Sequence, residues 1–278
     1  MFDIICAIVI GVYAYLISLQ IPKTAATISA STLFFTAMYG VLKQTRFLHP
    51  DKDSEPKLKH HVEAEWRSRI IGTFHGIILI IGSIACFLEW PHYLSPSHAW
   101  HVEERTPETE YNPVLLASIF VGYLQYDMLW LLYHRKTNFD AGSMIHHSLY
   151  IAITHYVLYG YYFVRPFAWL SFCEISTPCL HFRWFYAVRG KKDDPWYTIW
   201  SILFAATFLF SRVLCYGLGL VDIWFARDEW MKLPYGLYAV VAGVHFGYLL
   251  NLSWAAKVVA ALKKHIHIHA KKDALKLN

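Results

Sequence analysis

The chain has 278 residues and a net charge of +5, and 56% of its residues are hydrophobic but only 16% are charged. Soluble domains average about 25% charged residues, so this composition excludes an ordinary soluble globular protein. Basic residues lie mainly in the connections and the tail, a pattern that indicates membrane topology rather than nucleic-acid binding.

Apolar runs bounded by charges or by Pro and Gly clusters predict a series of membrane-spanning helices. The second run is short and polar at its start, so seven spans is the alternative to eight. The first run lacks a basic segment and a cleavage site, which favours a retained anchor over a signal peptide. The predicted spans are 2–20, 25–42, 70–89, 113–133, 144–161, 163–185, 196–219 and 235–257.

The distribution of Lys and Arg predicts the orientation, because cytosolic connections carry the excess. With eight spans and both termini inside, the inner connections and the C-terminal end hold 18 of these residues, whereas the outer connections hold 5. We therefore expect a cytosolic C-terminus and a cytosolic loop at 43–69. The "HIHIH" run at 265–269 is expected to belong to a solvated basic tail.

Several titratable side chains fall within the predicted spans, where they are costly and usually face a bundle interior or a cavity. A helix rises about 1.5 Å per residue, which places groups from four spans in the cytosol-facing half of the membrane. Together they predict a polar chamber that is open to the cytosol. The groups are His75, Asp127, His146, His147, Glu174 and His181.

Helical spacing adds two neighbours to these groups, since residues three, four and seven apart share a face. Thr177 lies on the face of Glu174 and His181, and Tyr150 lies on the face of His147. Pro178 interrupts the sixth span near Glu174, which membranes tolerate where a cavity or neighbour satisfies the freed backbone group.

A neutral imidazole beside a carboxylate can act as a general base or carry an acyl group. We therefore expect His146 or His147 to be the base or nucleophile, oriented by Glu174 and Asp127. Acyl-coenzyme A, arriving from the cytosol, is the candidate acyl donor, and membrane lipids are the expected partners. The residues expected to contact the ligand are His75, Tyr150, Thr177 and His181.

A non-catalytic protein is the alternative, because single membrane histidines more often bridge helices by hydrogen bonds. Such a protein would bind or move lipid, or act as a cargo adaptor. Arg212 is expected to snorkel or to pair with an acid. A di-iron enzyme is disfavoured because its H-x-x-H-H boxes would place histidine where Ser143 and Lys57 stand, and no metal or resident cofactor is expected.

The order of several motifs resembles the TLC-domain family, and the small TLC domain-containing proteins more than the ceramide synthases. The resemblance implies an all-α fold, with a six-helix membrane barrel formed by the last six spans and one or two helices before it. It divides the chain into an N-terminal part (1–59), a TLC domain (60–260) and a basic cytosolic tail (261–278). The motifs are "EWRSRIIGTFHGII" (65–78), "GYLQYDMLWLL" (122–132), "MIHHSLY" (144–150), "EISTPCLHFRWF" (174–185) and "SRV" (211–213).

In ceramide synthases, paired histidines and two aspartates of the sixth span serve N-acyl transfer from acyl-coenzyme A. By resemblance the histidines fall on His146 and His147 and the first aspartate on Glu174. The second aspartate falls on Thr177, which cannot ionise, so ceramide synthesis is not implied. For the smaller relatives the resemblance implies lipid homeostasis in an internal membrane, with the endoplasmic reticulum favoured.

Overall fold

The computed structural model describes residues 22–45, 60–88, 111–160, 164–232 and 234–276, and these residues form helices joined by turns, with no strand among them. The first predicted span, 2–20, lies outside the described residues. The 3₁₀ turn Phe172–Ile175 and the π-helical segment Leu209–Cys215 each join two helices. The helices are α1 Pro22–Gln44, α2 His60–Leu88, α3 Tyr111–Tyr133, α4 Ala141–Gly160, α5 Val164–Ser171, α6 Ser176–Val188, α7 Pro195–Phe208, α8 Tyr216–Phe225, α9 Arg227–Trp230 and α10 Gly236–Lys276.

Five of the predicted spans coincide with helices that are long and apolar enough to cross a bilayer, including the short second run. The chain is therefore a multi-pass membrane protein. The fifth predicted span is α4, a helix of 20 residues whose three histidines lower its hydropathy. The five segments are Thr24–Gln44, Val62–Leu88, Asn112–Tyr133, Pro195–Phe225 and Gly236–Lys263.

The sixth predicted span is broken rather than continuous. Its helix stops at Ser171, passes through the 3₁₀ turn Phe172–Ile175 and restarts at Ser176. Pro178 therefore falls in the first turn of α6, where a missing N–H costs little. The last span also differs from the prediction, because α10 continues as a helix to Lys276, through most of the segment expected to be a tail.

The contacts between helices form a closed order, in which following them from one helix to the next leads back to the first. Contacts run from α2 to α3, α3 to α4, α4 to α10, α10 to the α7–π–α8 unit, α7 to α6, and α6 back to α2. Helix α1 packs outside this order, mainly against α3.

Glycines allow close approach between several of these helices, as is common in membrane proteins. A methyl group at Gly219 would overlap the ring of Trp169, and one at Gly247 would meet the Tyr150 hydroxyl group. A methyl group at Gly72 would lie 2.8 Å from the His181 ring. Small residues thus set the separations that bring the polar side chains of different helices together.

Candidate functional site

One cavity of about 690 Å³, called here the polar cavity, collects most of the residues singled out from the sequence. Its lining comes from α2, α3, α4, the 3₁₀ turn, α6, α7, the π segment and α10. Tyr150 lines an adjoining chamber instead. The predicted residues in the polar cavity are His75, Asp127, His146, His147, Glu174, Thr177 and His181.

His147 and Asp127 form the contact between the paired histidines and a carboxylate. Nδ1 of His147 lies 3.6 Å from Oδ2 of Asp127, which is close for charges but too long for a hydrogen bond. The hydroxyl group of Ser68 donates to the other carboxylate oxygen at 3.3 Å. With Nδ1 turned towards the carboxylate, Nε2 of His147 is the ring atom that can exchange a proton with a ligand.

His146 lies at the boundary between the two cavities. Its ring is 4.6 Å from that of Tyr150 and 5.8 Å from that of Trp254, measured between centroids. The same residue lines both the polar cavity and the adjoining chamber. A ligand that spans the two spaces would therefore pass the His146 ring.

Glu174 was expected to orient a histidine, and its carboxylate is instead bound by other groups. Arg212 Nη2 donates to Oε1 of Glu174 at 2.7 Å, and the Thr177 hydroxyl group donates to Oε2. Arg212 Nε also donates to the hydroxyl group of Ser176 at 3.1 Å. Of the two expectations for Arg212, pairing with an acid is the one observed.

The π segment Leu209–Cys215 carries Arg212 to this position. An inserted residue in a helix rotates the side chains that follow it, so this arginine points towards the 3₁₀ turn rather than along a regular helical face. Sequence reasoning did not place Arg212 in the site, because hydrophobic periodicity does not show where a π segment lies. The only available signal was the "SRV" motif itself.

His75 and His181 are buried on the α2 side of the cavity. The His75 ring stacks on Tyr123 with centroids 3.7 Å apart, and its Nε2 has no hydrogen-bond partner among the described residues. His181 Nδ1 lies 2.9 Å from the Thr73 hydroxyl oxygen. Because that hydroxyl group donates to the carbonyl of Arg69, Nδ1 of His181 is the donor and Nε2 remains an acceptor.

The adjoining space, called here the apolar chamber, has a volume of about 60 Å³. In its lining, the hydroxyl groups of Tyr150 and Tyr216 share a hydrogen bond of 2.8 Å, and Tyr216 donates to the carbonyl of Val244. The residues shared by the lining of both spaces are Phe120, His146, Glu174 and Arg212. A polar and an apolar space therefore meet beside the first of the paired histidines.

One end of the polar cavity includes the connection between α3 and α4 and the exposed Lys257. Asp140 caps α4 there, accepting hydrogen bonds from the backbone N–H groups of Gly142 and Ser143 and from the Ser143 hydroxyl group. Partial burial alone would raise the pKa of the Asp140 carboxyl, but these hydrogen bonds outweigh it and hold the pKa below its usual value. The cap fixes the first turn of the helix that carries the paired histidines.

Two other histidines of the spans form hydrogen bonds away from the polar cavity. His245 accepts a hydrogen bond of 3.1 Å from the Trp224 indole N–H, and His155 Nδ1 bonds the carbonyl of Ile151 in its own helix. Among the described side chains, no group of three or more His, Cys, Asp or Glu residues is arranged to hold a metal ion. The side chains of the 265–269 histidine run lie outside the described residues.

Residues 65–260, most of the chain, match the family model for the TLC domain. The chain belongs to the TLC-domain family. TLC domain-containing protein 4 A of Dictyostelium discoideum is 24% identical over 245 residues, covering 84% of this chain and 88% of that protein. TLC domain-containing protein 4 of Xenopus tropicalis is 25% identical over 250 residues, covering 85% of this chain and 90% of the relative.

The human TLC domain-containing protein 4 is 24% identical over 207 residues, covering 70% of this chain and 67% of that protein. No solved structure gives a significant match. The family resemblance read from the motifs is thus confirmed.

Proposed function

We propose that this TLC-domain protein binds a membrane lipid across the junction of its polar cavity and apolar chamber and acts in lipid homeostasis. The observation that carries the proposal is the position of His146, which lines both spaces, with His147 and Asp127 beside it. Lipids combine polar and apolar groups, and a ligand site where a polar and an apolar space meet matches that chemistry.

The closed order of helix contacts supports a six-unit TLC barrel around the cavity. Its members would be α2, α3, α4, the broken α5–α6 unit, the α7–π–α8 unit and α10, with α1 outside. Irregular backbone within a membrane is tolerated where it lines a cavity, which fits the 3₁₀ turn and the π segment. This arrangement agrees with a six-helix core preceded by one or two helices.

The distribution of basic residues supports a cytosolic opening for the polar cavity. The connection between α3 and α4, which lines one end of the polar cavity, belongs to the side that carries the excess of Lys and Arg. Lys257 at the same end would attract the phosphates of acyl-coenzyme A. An internal membrane, with the endoplasmic reticulum favoured, is the proposed location.

The chemistry proposed for this site is acyl transfer from acyl-coenzyme A to a hydroxyl or amino group of a lipid. Nε2 of His147 would take the proton of that group as its oxygen or nitrogen attacks the thioester carbonyl. The C–S bond then breaks, and the leaving thiolate takes the proton back from the imidazole. Asp127 would stabilise the positive charge of His147 between these steps.

In this mechanism the ion pair of Arg212 and Glu174 would stabilise the part of the cavity lining formed by the 3₁₀ turn and the π segment. Arg212 binds one carboxylate oxygen of Glu174 and Thr177 binds the other. Glu174 would therefore support the site through Arg212 rather than through a histidine. Thr177 stands where an acid would be needed by the ceramide synthase pattern, and ceramide synthesis is not proposed.

A non-catalytic lipid-binding or lipid-moving protein is the second candidate. The gap of 3.6 Å between His147 and Asp127 favours it, because a working base is normally held by a hydrogen bond to its carboxylate. In that case the histidines would only contact the lipid head.

The experiment that tests the proposed function and its acyl-transfer mechanism compares the lipids of cells that express the wild type, His147→Ala or His155→Ala. His155 is on the same helix as His147 but lines neither cavity, so its variant controls for the substitution itself. We expect the wild type and His155→Ala to change the same lipid class, and His147→Ala to lose the change at equal protein level. Retention of the change in His147→Ala overturns the acyl-transfer mechanism, and the absence of any change in the wild type overturns the proposed function.

A further inference from the structure

Asn251 is a buried polar residue of α10 for which the proposed mechanism has no use. Its side chain is 2% exposed and lines the apolar chamber. The oxygen Oδ1 has no hydrogen-bond partner among the residues that the structure describes. An amide oxygen left unpaired in an apolar setting is costly, so such atoms are normally satisfied by protein, water or ligand.

The neighbours of Asn251 on α10 place it close to the paired histidines. Gly247, one turn earlier, lies against the hydroxyl group of Tyr150, and Trp254, three residues later, lies against the ring of His146. Residues three and four apart share a helical face. Asn251 therefore lies on the face of α10 turned towards α4, between its contacts with Tyr150 and His146.

A helix-bridging role would require a partner for the amide oxygen on a neighbouring helix, as membrane asparagines usually have. No such partner is found among the described residues. The hydroxyl groups of Tyr150 and Tyr216, which line the same chamber, are hydrogen-bonded to each other instead. The open space of about 60 Å³ holds only a small group beside the amide. A hydroxyl or amino group with its attached carbon fits this volume, whereas a long chain does not.

We propose that Asn251 is a specificity-determining residue whose side-chain oxygen accepts a hydrogen bond from an O–H or N–H group of the bound lipid. The inference rests on the proposed function and names the ligand class more closely, as a lipid that carries a free hydrogen-bond donor close to its chain. Sites built to pair a donor reject analogues that lack it, because the buried acceptor is then left unsatisfied.

The test uses the full-length protein, purified and placed in phosphatidylcholine nanodiscs, with two matched probes. One probe is 1-monooleoylglycerol, and the other is its analogue with both hydroxyl groups methylated. We expect the wild type to bind the hydroxylated probe roughly tenfold more tightly than the methylated one. Asn251→Leu keeps the size of the side chain but removes its oxygen. In this variant the tenfold preference for the hydroxylated probe should be lost.

Ser118→Ala is the matched control, because it removes a buried hydroxyl group that bonds its own helix and lines neither cavity. It should keep the wild-type ratio. If Asn251→Leu does not accumulate as folded protein, a variant that keeps an acceptor oxygen takes its place. Asn251→Asp, which retains an acceptor, is then measured for retention of that ratio.

The outcomes distinguish this inference from the proposed function. If the wild type binds both probes equally, or if Asn251→Leu keeps the full ratio, Asn251 does not select a donor and the assignment is overturned. Tighter binding of the methylated probe would show that the amide presents its N–H instead, which also overturns it. Failure of the wild type to bind either probe contradicts lipid binding itself.

Discussion

Replacing Arg212 by methionine removes the cation of the ion pair at the centre of the site. The side chains of Arg212 and Glu174 are 12% and 17% exposed, so solvent screens the pair little. Without Arg212, the Glu174 carboxylate keeps only the Thr177 hydroxyl group as a hydrogen-bond donor among the described residues. We expect Arg212→Met to lower the free energy of unfolding by about 3–5 kcal/mol, the cost of leaving a buried charge without its partner.

A double variant tests whether this loss comes from the uncompensated carboxylate. Glu174→Leu combined with Arg212→Met removes both charges and leaves apolar groups of similar size. Such exchanges of a buried pair are often neutral, so we expect the double variant to be more stable than Arg212→Met by at least about 2 kcal/mol. Recovery of stability on removing the second charge is the signature of the pair, because loss of packing alone would not give it.

The assay is reversible unfolding of the purified protein in mixed micelles, followed by tryptophan fluorescence. The exposed pair of Arg227 and Asp228, whose side chains are 62% and 85% exposed at a distance of 3.5 Å, supplies the control. Arg227→Met should leave the free energy of unfolding within about 0.5 kcal/mol of the wild type. A double variant no more stable than Arg212→Met, or a loss in Arg212→Met no larger than in Arg227→Met, would refute the reasoning.

Two further changes test the supports of the site. Asp140→Ala should lower the free energy of unfolding by about 1 kcal/mol at neutral pH, because it removes the cap of α4. Since the folded pKa of Asp140 is lowered, the stability from its carboxylate is complete above the unfolded pKa and is lost as the pH falls through the folded pKa. The acid unfolding curves of the wild type and the variant should therefore converge at low pH. Gly219→Ala should lower the free energy of unfolding by about 1–3 kcal/mol, because the new methyl group overlaps Trp169. The control Gly40→Ala meets open space and should be neutral or stabilising in the same unfolding assay. Equal effects at the two glycines would contradict the packing described.

The sequence alone determined the class of protein, most of the spans and the family. These depend on local properties, because a run of about 20 apolar residues crosses a bilayer whatever its neighbours are. The sequence also predicted which polar side chains share a cavity. His75, Asp127, His147 and Glu174 come from different helices, yet the cost of charge in a membrane drives them to a common interior.

Only the tertiary structure decided which of these groups are partners. Depth along a helix can be read from residue numbers, but the rotation of each helix and the 3₁₀ and π segments cannot. The 3₁₀ and π segments bring Glu174 and Arg212 together. The packing of α10 leaves Asn251 facing an apolar space, with no hydrogen-bond partner for its oxygen among the described residues. Hydropathy measures transfer into the membrane, whereas partnership depends on ångström-scale separations between helices, and those are set by packing.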